Sequence, residues 1–181
     1  MTTRILAIDP GKYTGVTIVD LMPNDEIVYT HVETLDSMNL IRKHKDITFI
    51  YGERYAKIYA VAYEISGLLA EFQPHCIVAE NAYYNRRRPT AFGSLLELLC
   101  ILRETVAKYN QHRPLELVKA NNVKQAVGVV GGTNDKELVR TAVGLLKVYY
   151  EPHICLDQLD EHAIDSMAIG YWKCLNLIND K

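Results

Sequence analysis

The sequence predicts a mixed α/β domain spanning residues 1–181, and three observations carry that prediction. Short apolar, β-branched runs fill the first 32 residues. Two segments, Ile58 to Phe72 and Thr90 to Lys108, repeat apolar residues at helical spacing. Between and after them lie short apolar runs that end in turn signals or acids, which is the order of a sheet built through helical crossovers. A chain of 181 residues is long enough for one core and short for two.

Taken in order, Arg4 to Asp9 is an apolar strand that stops at the turn Asp9-Pro10-Gly11. Gly15 to Asp20 and Glu26 to Val32 are two more strands, separated by Pro23-Asn24-Asp25, and their close spacing predicts an antiparallel meander. Ile58, Val61, Ala62, Ile65, Leu68, Leu69 and Phe72 mark one amphipathic helix, which Pro74 ends. His75 to Glu80 is a strand closing on an acid, and Asn81 to Pro89 is a polar, basic loop. In the helix from Thr90 to Lys108, leucines and Ile101 wrap nearly all round the axis. Such a helix needs cover on more than one side, either within its own domain or from a second subunit. Leu115 to Val118 is the fifth strand, and Val127 to Gly132 a Gly- and Val-rich linker. Asn134 with Glu137 is a variant capping box for a helix carrying Leu138, Val139, Ala142, Val143, Leu145 and Leu146. A last helix runs from Asp160 to Asn176, its core face formed by Ala163, Ile164, Met167, Ala168, Tyr171 and Leu175. The sum is a five-stranded mixed sheet flanked by helices, with the first strand central.

Composition narrows the classes of function. No apolar run approaches the roughly 20 residues of a membrane span, and Asp9 interrupts any leader-like stretch at the N-terminus. The expected location is the cytoplasm, of a bacterium or of an infected cell. Cys76, Cys100, Cys155 and Cys174 include no Cys-x-x-Cys pair, which argues against a thiolate zinc site and for buried, reduced thiols. The net charge is −2, but it is unevenly spread. Residues 80–150 hold eleven Lys and Arg against six Asp and Glu, and Arg86, Arg87 and Arg88 are consecutive. A field of that shape suits a phosphate backbone on one side of the molecule; scattered charge on a solvated surface is the plainer reading.

Four residues stand out as candidate ligands. Asp9 and Glu80 each end an apolar strand, so parallel neighbouring strands would bring both carboxylates to one C-terminal sheet edge, the usual place for a site in α/β folds. His162 and Asp165, three apart near the start of the last helix, share a helical face. Like charges held together repel unless a cation lies between them, and carboxylates are hard oxygen ligands suited to Mg²⁺ or Mn²⁺. Two such ions could activate a water and stabilise the leaving oxygen of a phosphodiester. Each residue also has an ordinary structural role open to it. Asp160 suits the helix N-cap and Glu161 the positive end of the helix dipole.

The motifs around these residues resemble those of the RuvC-type Holliday junction resolvases, in order and over nearly the whole chain. Ile8-Asp9-Pro10-Gly11 with Thr14-Gly15 is similar to their first strand and turn, and Phe72-Gln73-Pro74 leading to Val78-Ala79-Glu80 to the segment that delivers their second acid. Val123-Lys124-Gln125-Ala126-Val127 resembles a phosphate-contacting stretch, and His162 to Ile169 their final acidic helix. The first motif alone is weak, because sugar kinases and actin-like ATPases use a similar turn; the four in order are specific.

The resemblance implies an RNase H-like fold and a crossover junction endodeoxyribonuclease working as a homodimer. It implies two Mg²⁺ ions per site (Mn²⁺ substituting) on Asp9, Glu80, His162 and Asp165, and products with a 5′-phosphate and a 3′-hydroxyl. By the same resemblance, Lys124 and Lys136 approach the DNA backbone near the cut and Tyr83 stacks on bases at the junction centre; a partly buried loop aromatic is the alternative for Tyr83. The family is usually more basic than this chain, and the Arg86-Arg87-Arg88 loop is the candidate compensation. A nuclease of the same fold acting on RNA or RNA–DNA hybrid, and a catalytically silent DNA-binding module, are the rival readings. An ATPase is disfavoured because Gly131-Gly132-Thr133 is too short for a second phosphate loop.

Overall fold

The computed structural model describes residues 1–84, 86, 89–129 and 136–180, with only the backbone of Pro89 and Lys136. The strands are β1 (Thr3–Asp9), β2 (Tyr13–Leu21), β3 (Ile27–Asp36), β4 (Cys76–Glu80), β5 (Leu115–Val118) and β6 (Tyr149–Tyr150). The helices are α1 (Ser37–Leu40), α2 (Lys45–Tyr51), α3 (Glu53–Phe72), α4 (Pro89–Tyr109), α5 (Ala120–Ala126), α6 (Lys136–Gly144) and α7 (Glu161–Asn179).

The described strands form a sheet in the order β5-β4-β1-β2-β3-β6. β1, β2 and β3 are the expected antiparallel meander, and β4 and β5 join parallel to β1 through α3 and α4. The strand count is six rather than five. The addition, β6, is two residues long and pairs in parallel with Val28 and Tyr29 of β3, too short to carry any alternation in the sequence.

β1 is buried on both faces because helices cover both sides. Its residues alternate between two cores: Ile5 and Ala7 face one, Leu6 and Ile8 the other. The Leu6/Ile8 core is closed by α3 and α4. Ile58, Val61, Ile65, Leu68 and Leu69 of α3 form its buried stripe, and the helix stops where Gln73 turns left-handed (φ 49°) before Pro74. Leu98, Leu99, Leu102 and Val106 of α4 pack on the same core, while Leu96 stays 41% exposed on the helix's outward side. Of the cysteines, Cys174 is buried and Cys76 half-buried, but Cys100 and Cys155 are exposed, contrary to the expectation of four buried thiols. Among the described residues no helix is long and apolar enough to cross a membrane.

The opposite core rests on α7, and its seating decides where the site lies. Gly15 of β2 pairs with Asp9 of β1. A Cβ on Gly15 would overlap the backbone carbonyl of His162, so the first turn of α7 lies directly on the strand. Gly170, two turns on, allows the same closeness: a Cβ there would meet Val19 at 3.0 Å and Ala7 at 3.5 Å. Buried polar groups lock the position. Ser166 Oγ donates to the Ala163 carbonyl (2.7 Å), which leaves the Thr17 hydroxyl to donate to Ser166 at 2.7 Å. Tyr29 donates its hydroxyl to the Met167 carbonyl at 2.9 Å. Arg140 of α6 reaches the segment before α7, donating to the carbonyls of Leu156 (2.9 Å) and Leu159 (2.7 Å).

Two glycine substitutions test this seating by urea unfolding. Gly15→Ala forces backbone apart and is expected to cost about 1–3 kcal/mol. Gly67→Ala, inside α3 with no atom within 4 Å of the added methyl, is expected to add about 0.5–1 kcal/mol. A Gly15→Ala protein as stable as the parent would contradict the close approach.

Candidate active site at the sheet edge

The register between β1 and β4, with Ile8 opposite Ala79, sets the next residues, Asp9 and Glu80, side by side at the C-terminal ends of two parallel strands. α7 crosses the same edge because its first turn rests on Gly15, the strand partner of Asp9. His162 Nδ1 lies 3.1 Å from Asp9 Oδ2, and Nε2 of the same ring lies 3.4 Å from Glu161 Oε1. Asp9, Glu80, His162 and Asp165 are all half-buried.

The electrostatics tie these groups together. The Glu80 carboxyl is pushed up to about 8, first by burial, then by the charges of Asp9 and Asp165, with Lys124 opposing. The four candidate charges therefore act on one another across the sheet edge. His162 is raised above its ordinary range, chiefly by its hydrogen bond to Asp9, with the Asp9, Glu161 and Asp160 charges adding and burial opposing. Asp160 is the N-cap of α7, its Oδ1 accepting from the Ala163 amide (2.9 Å) and the Thr34 hydroxyl (2.6 Å). Burial works to raise its pKa, but those hydrogen bonds and the charge of His162 together lower it.

The donor set fits a hard divalent cation in its chemistry: three carboxylates and an imidazole, with one carboxylate holding its proton into the neutral range through burial first and the charges of its neighbours next. As the side chains stand, no three His, Cys, Asp or Glu among the described residues are arranged to grip an ion. Asp9 is turned instead to His162. A cleft of about 450 Å³ opens beside this edge, lined among others by Tyr13, Arg140, His162 and Asp165.

The other predicted residues divide. Lys124 lies on α5, a helix the sequence reading did not anticipate, and its charge reaches Glu80. Tyr83 is 63% exposed, more open than the partly buried alternative for it expects. Its neighbour Tyr84 instead meets Phe92 edge-on at 5.6 Å. Arg86 is exposed in a turn. Arg87, Arg88, the Lys136 side chain and the cap at Asn134 lie outside the described residues. The sequence reading missed Tyr13, whose ring sits 5.6 Å from His162 and under the Lys12 ammonium at 4.8 Å. It also missed Arg140, which lines the cleft while holding the approach to α7. A tyrosine two residues beyond Gly11 of the Asp-Pro-Gly turn was the available signal for the first; nothing local marks the second.

The fold, a mixed sheet with β1 between β4 and β2 and helices on both faces, is that of solved RuvC-type Holliday junction resolvases. Solved structures similar to this chain include Thermus thermophilus RuvC in complex with a Holliday junction substrate, at 16% identity over 97% of this chain and 96% of that one, TM-score 0.64. The yeast mitochondrial Holliday junction resolvase Ydc2 is similar at 13% identity over 98% of this chain and 82% of that one, TM-score 0.66. Fowlpox virus resolvase, solved with Holliday junction DNA, is similar at 12% identity over 97% and 99%, TM-score 0.61. No protein-family model and no curated protein sequence matches the chain.

The charge cluster predicts a pH signature in metal-free buffer. Between the ordinary carboxyl value of 4.5 and about 8, the folded chain keeps a proton on Glu80 that the unfolded chain has lost. The stability this contributes is complete below the lower value and is lost as pH rises through the upper one. Glu80→Gln fixes the neutral form, so its melting temperature is expected to decline less than the parent's toward about pH 9, ending several degrees higher. Parallel melting profiles for the two proteins would remove the cluster's electrostatic coupling.

Proposed function

We propose that this protein is a structure-selective, metal-dependent DNA endonuclease that cuts four-way junctions, a crossover junction endodeoxyribonuclease. The observation that carries the reading is the set Asp9, Glu80, His162 and Asp165 on one sheet edge of a RuvC-type fold. Two of the similar structures are complexes with Holliday junction DNA, which supports branched DNA as the substrate class.

In this reading Asp9, Glu80, His162 and Asp165 hold the cation, two Mg²⁺ ions per site with Mn²⁺ as a substitute. Bound there, the metal supplies activation of a water and stabilisation of the leaving oxygen, giving a 5′-phosphate and a 3′-hydroxyl. The chain's own groups do the rest. Until a cation binds, the Asp9 carboxylate holds the His162 ring through Nδ1. Lys124, near enough to Glu80 to oppose its rise in pKa, offers a positive charge to the phosphate beside the cut, and Lys136 at the start of α6 is its partner in that role. Tyr83, exposed three residues beyond Glu80, stacks on bases opened at the junction centre. Arg86, Arg87 and Arg88 take the backbone of an arm. Symmetric cuts need two sites, and the outward side of α4, with Leu96 and Cys100 exposed, is the surface for a twofold homodimer acting in the cytoplasm.

The test is cleavage of a labelled four-way junction beside linear duplex and RNA–DNA hybrid of the same sequence, with and without Mg²⁺. Paired nicks on the junction alone, only with Mg²⁺, are expected; cutting of the hybrid alone would transfer the site to another substrate. Asp9→Asn is expected to lose cleavage by roughly a thousandfold or more while still binding the junction, and retained parental cleavage would refute the assigned site. Tyr83→Ala is expected to slow junction cutting without lowering the melting temperature; matched loss of both would make Tyr83 structural.

A further inference from the structure

A second cavity, of about 650 Å³, lies between the N-terminal halves of α3 and α4, against the turn that follows Asp9. Pro10 and Gly11 form its wall on the side of the candidate active site, and Ile58, Leu95 and Leu98 give it apolar sides. Ser37 also lines it. That residue is 3% exposed, and its hydroxyl has no hydrogen-bond partner. A buried hydroxyl left unpaired costs roughly 1–3 kcal/mol, so one at the side of an apolar cavity marks a place for a polar atom on a ligand. At the rim, Arg54 is held bidentately by Glu97 and Lys57 pairs with Glu53, so among the described lining residues Lys12, over the Tyr13 ring, is the cation open to an anion.

An apolar slot with one internal hydrogen-bonding group and a cation at its mouth has the chemistry of a nucleotide site: flat base inside, phosphate outside. Resting on the junction-cutting reading above, we infer that this cavity takes an unstacked nucleobase from the strand being cut, next to the scissile phosphate, and so sets base preference at the cut. The position follows from covalent distance, since Pro10 is bonded to Asp9. Extrusion costs least for a base already unpaired, which a branch point offers. A second copy of the chain is the weaker occupant. Ala91, Ser94, Leu95 and Leu98 line the cavity from one face of α4, whereas Leu96 and Cys100 point outward from the other.

The experiment uses the full chain and a four-way junction with 2-aminopurine at the nucleotide beside the crossover, in EDTA at saturating protein. A dye on a distant arm reports binding by anisotropy. With no aromatic ring among the described residues that line the cavity, 2-aminopurine fluorescence is expected to rise on binding to the parent protein. The rise should be absent with Ala91→Leu combined with Ser94→Leu, which fills the slot. A parent complex with no rise, as a slot closed by a second copy would give, overturns the inference; so does an equal rise in the filled variant. Anisotropy that detects no junction binding by the parent overturns the functional reading itself, and the pocket with it. Ser37→Ala, which removes the unpaired hydroxyl at no packing cost, gives a second readout. Cutting by the parent is expected to differ roughly tenfold among the four bases at that position and to level out in Ser37→Ala; a preference that survives the change overturns the assignment.

Discussion

A helix can rest on a strand at backbone contact only where the strand residue beneath it has no Cβ, and Gly15 provides that place at the one point that matters. It is the strand partner of Asp9 and lies under the His162 carbonyl. From this contact follow the entry of α7 across the C-terminal sheet edge, the 3.1 Å approach of His162 to Asp9, and the nearness of Asp165 to Glu80. Gly170, the Thr17–Ser166 hydroxyl pair and the Tyr29–Met167 hydrogen bond continue the seating along the helix, so the site's geometry is held by the core and not by loops.

The same seating produces the site's electrostatic tension. Carboxylates from two strands and a helix share a half-buried edge, and Glu80, through burial first and the charges of Asp9 and Asp165 next, holds its proton up to about 8. A fold has no stabilising use for that arrangement by itself. A divalent cation converts the repulsion into attraction, and a positively charged group such as Lys124 eases it in part. On the proposed reading, that relief by a cation is what makes the edge a place of chemistry.

Much of this was legible in the sequence because the relevant elements carry strong patterns. β1 and β4 are apolar runs closed by an acid, and α3, α4 and α7 have long helical repeats, so Asp9, Glu80, His162 and Asp165 were recognisable as a set. What escaped is what has no period. β6 is two residues of sheet, α1, α2 and α5 are too short to display a face, and the nearness of Lys124 to Glu80 depends on how α5 is folded back. Gly15 could be quoted as part of a motif, yet its function as the seat of a helix 147 residues later is a tertiary fact. The cavity between α3 and α4 is likewise invisible in one dimension, since its wall combines a turn, a buried serine and two helices.

The central claim is that Asp9, Glu80, His162 and Asp165 form one metal site. Crystals grown with Mn²⁺ and measured at its absorption edge address it directly. Anomalous peaks bounded by those four side chains, with Asp9 turned from His162 toward the metal, are the predicted result. Peaks elsewhere, with Asp9 still bonded to His162, would contradict it.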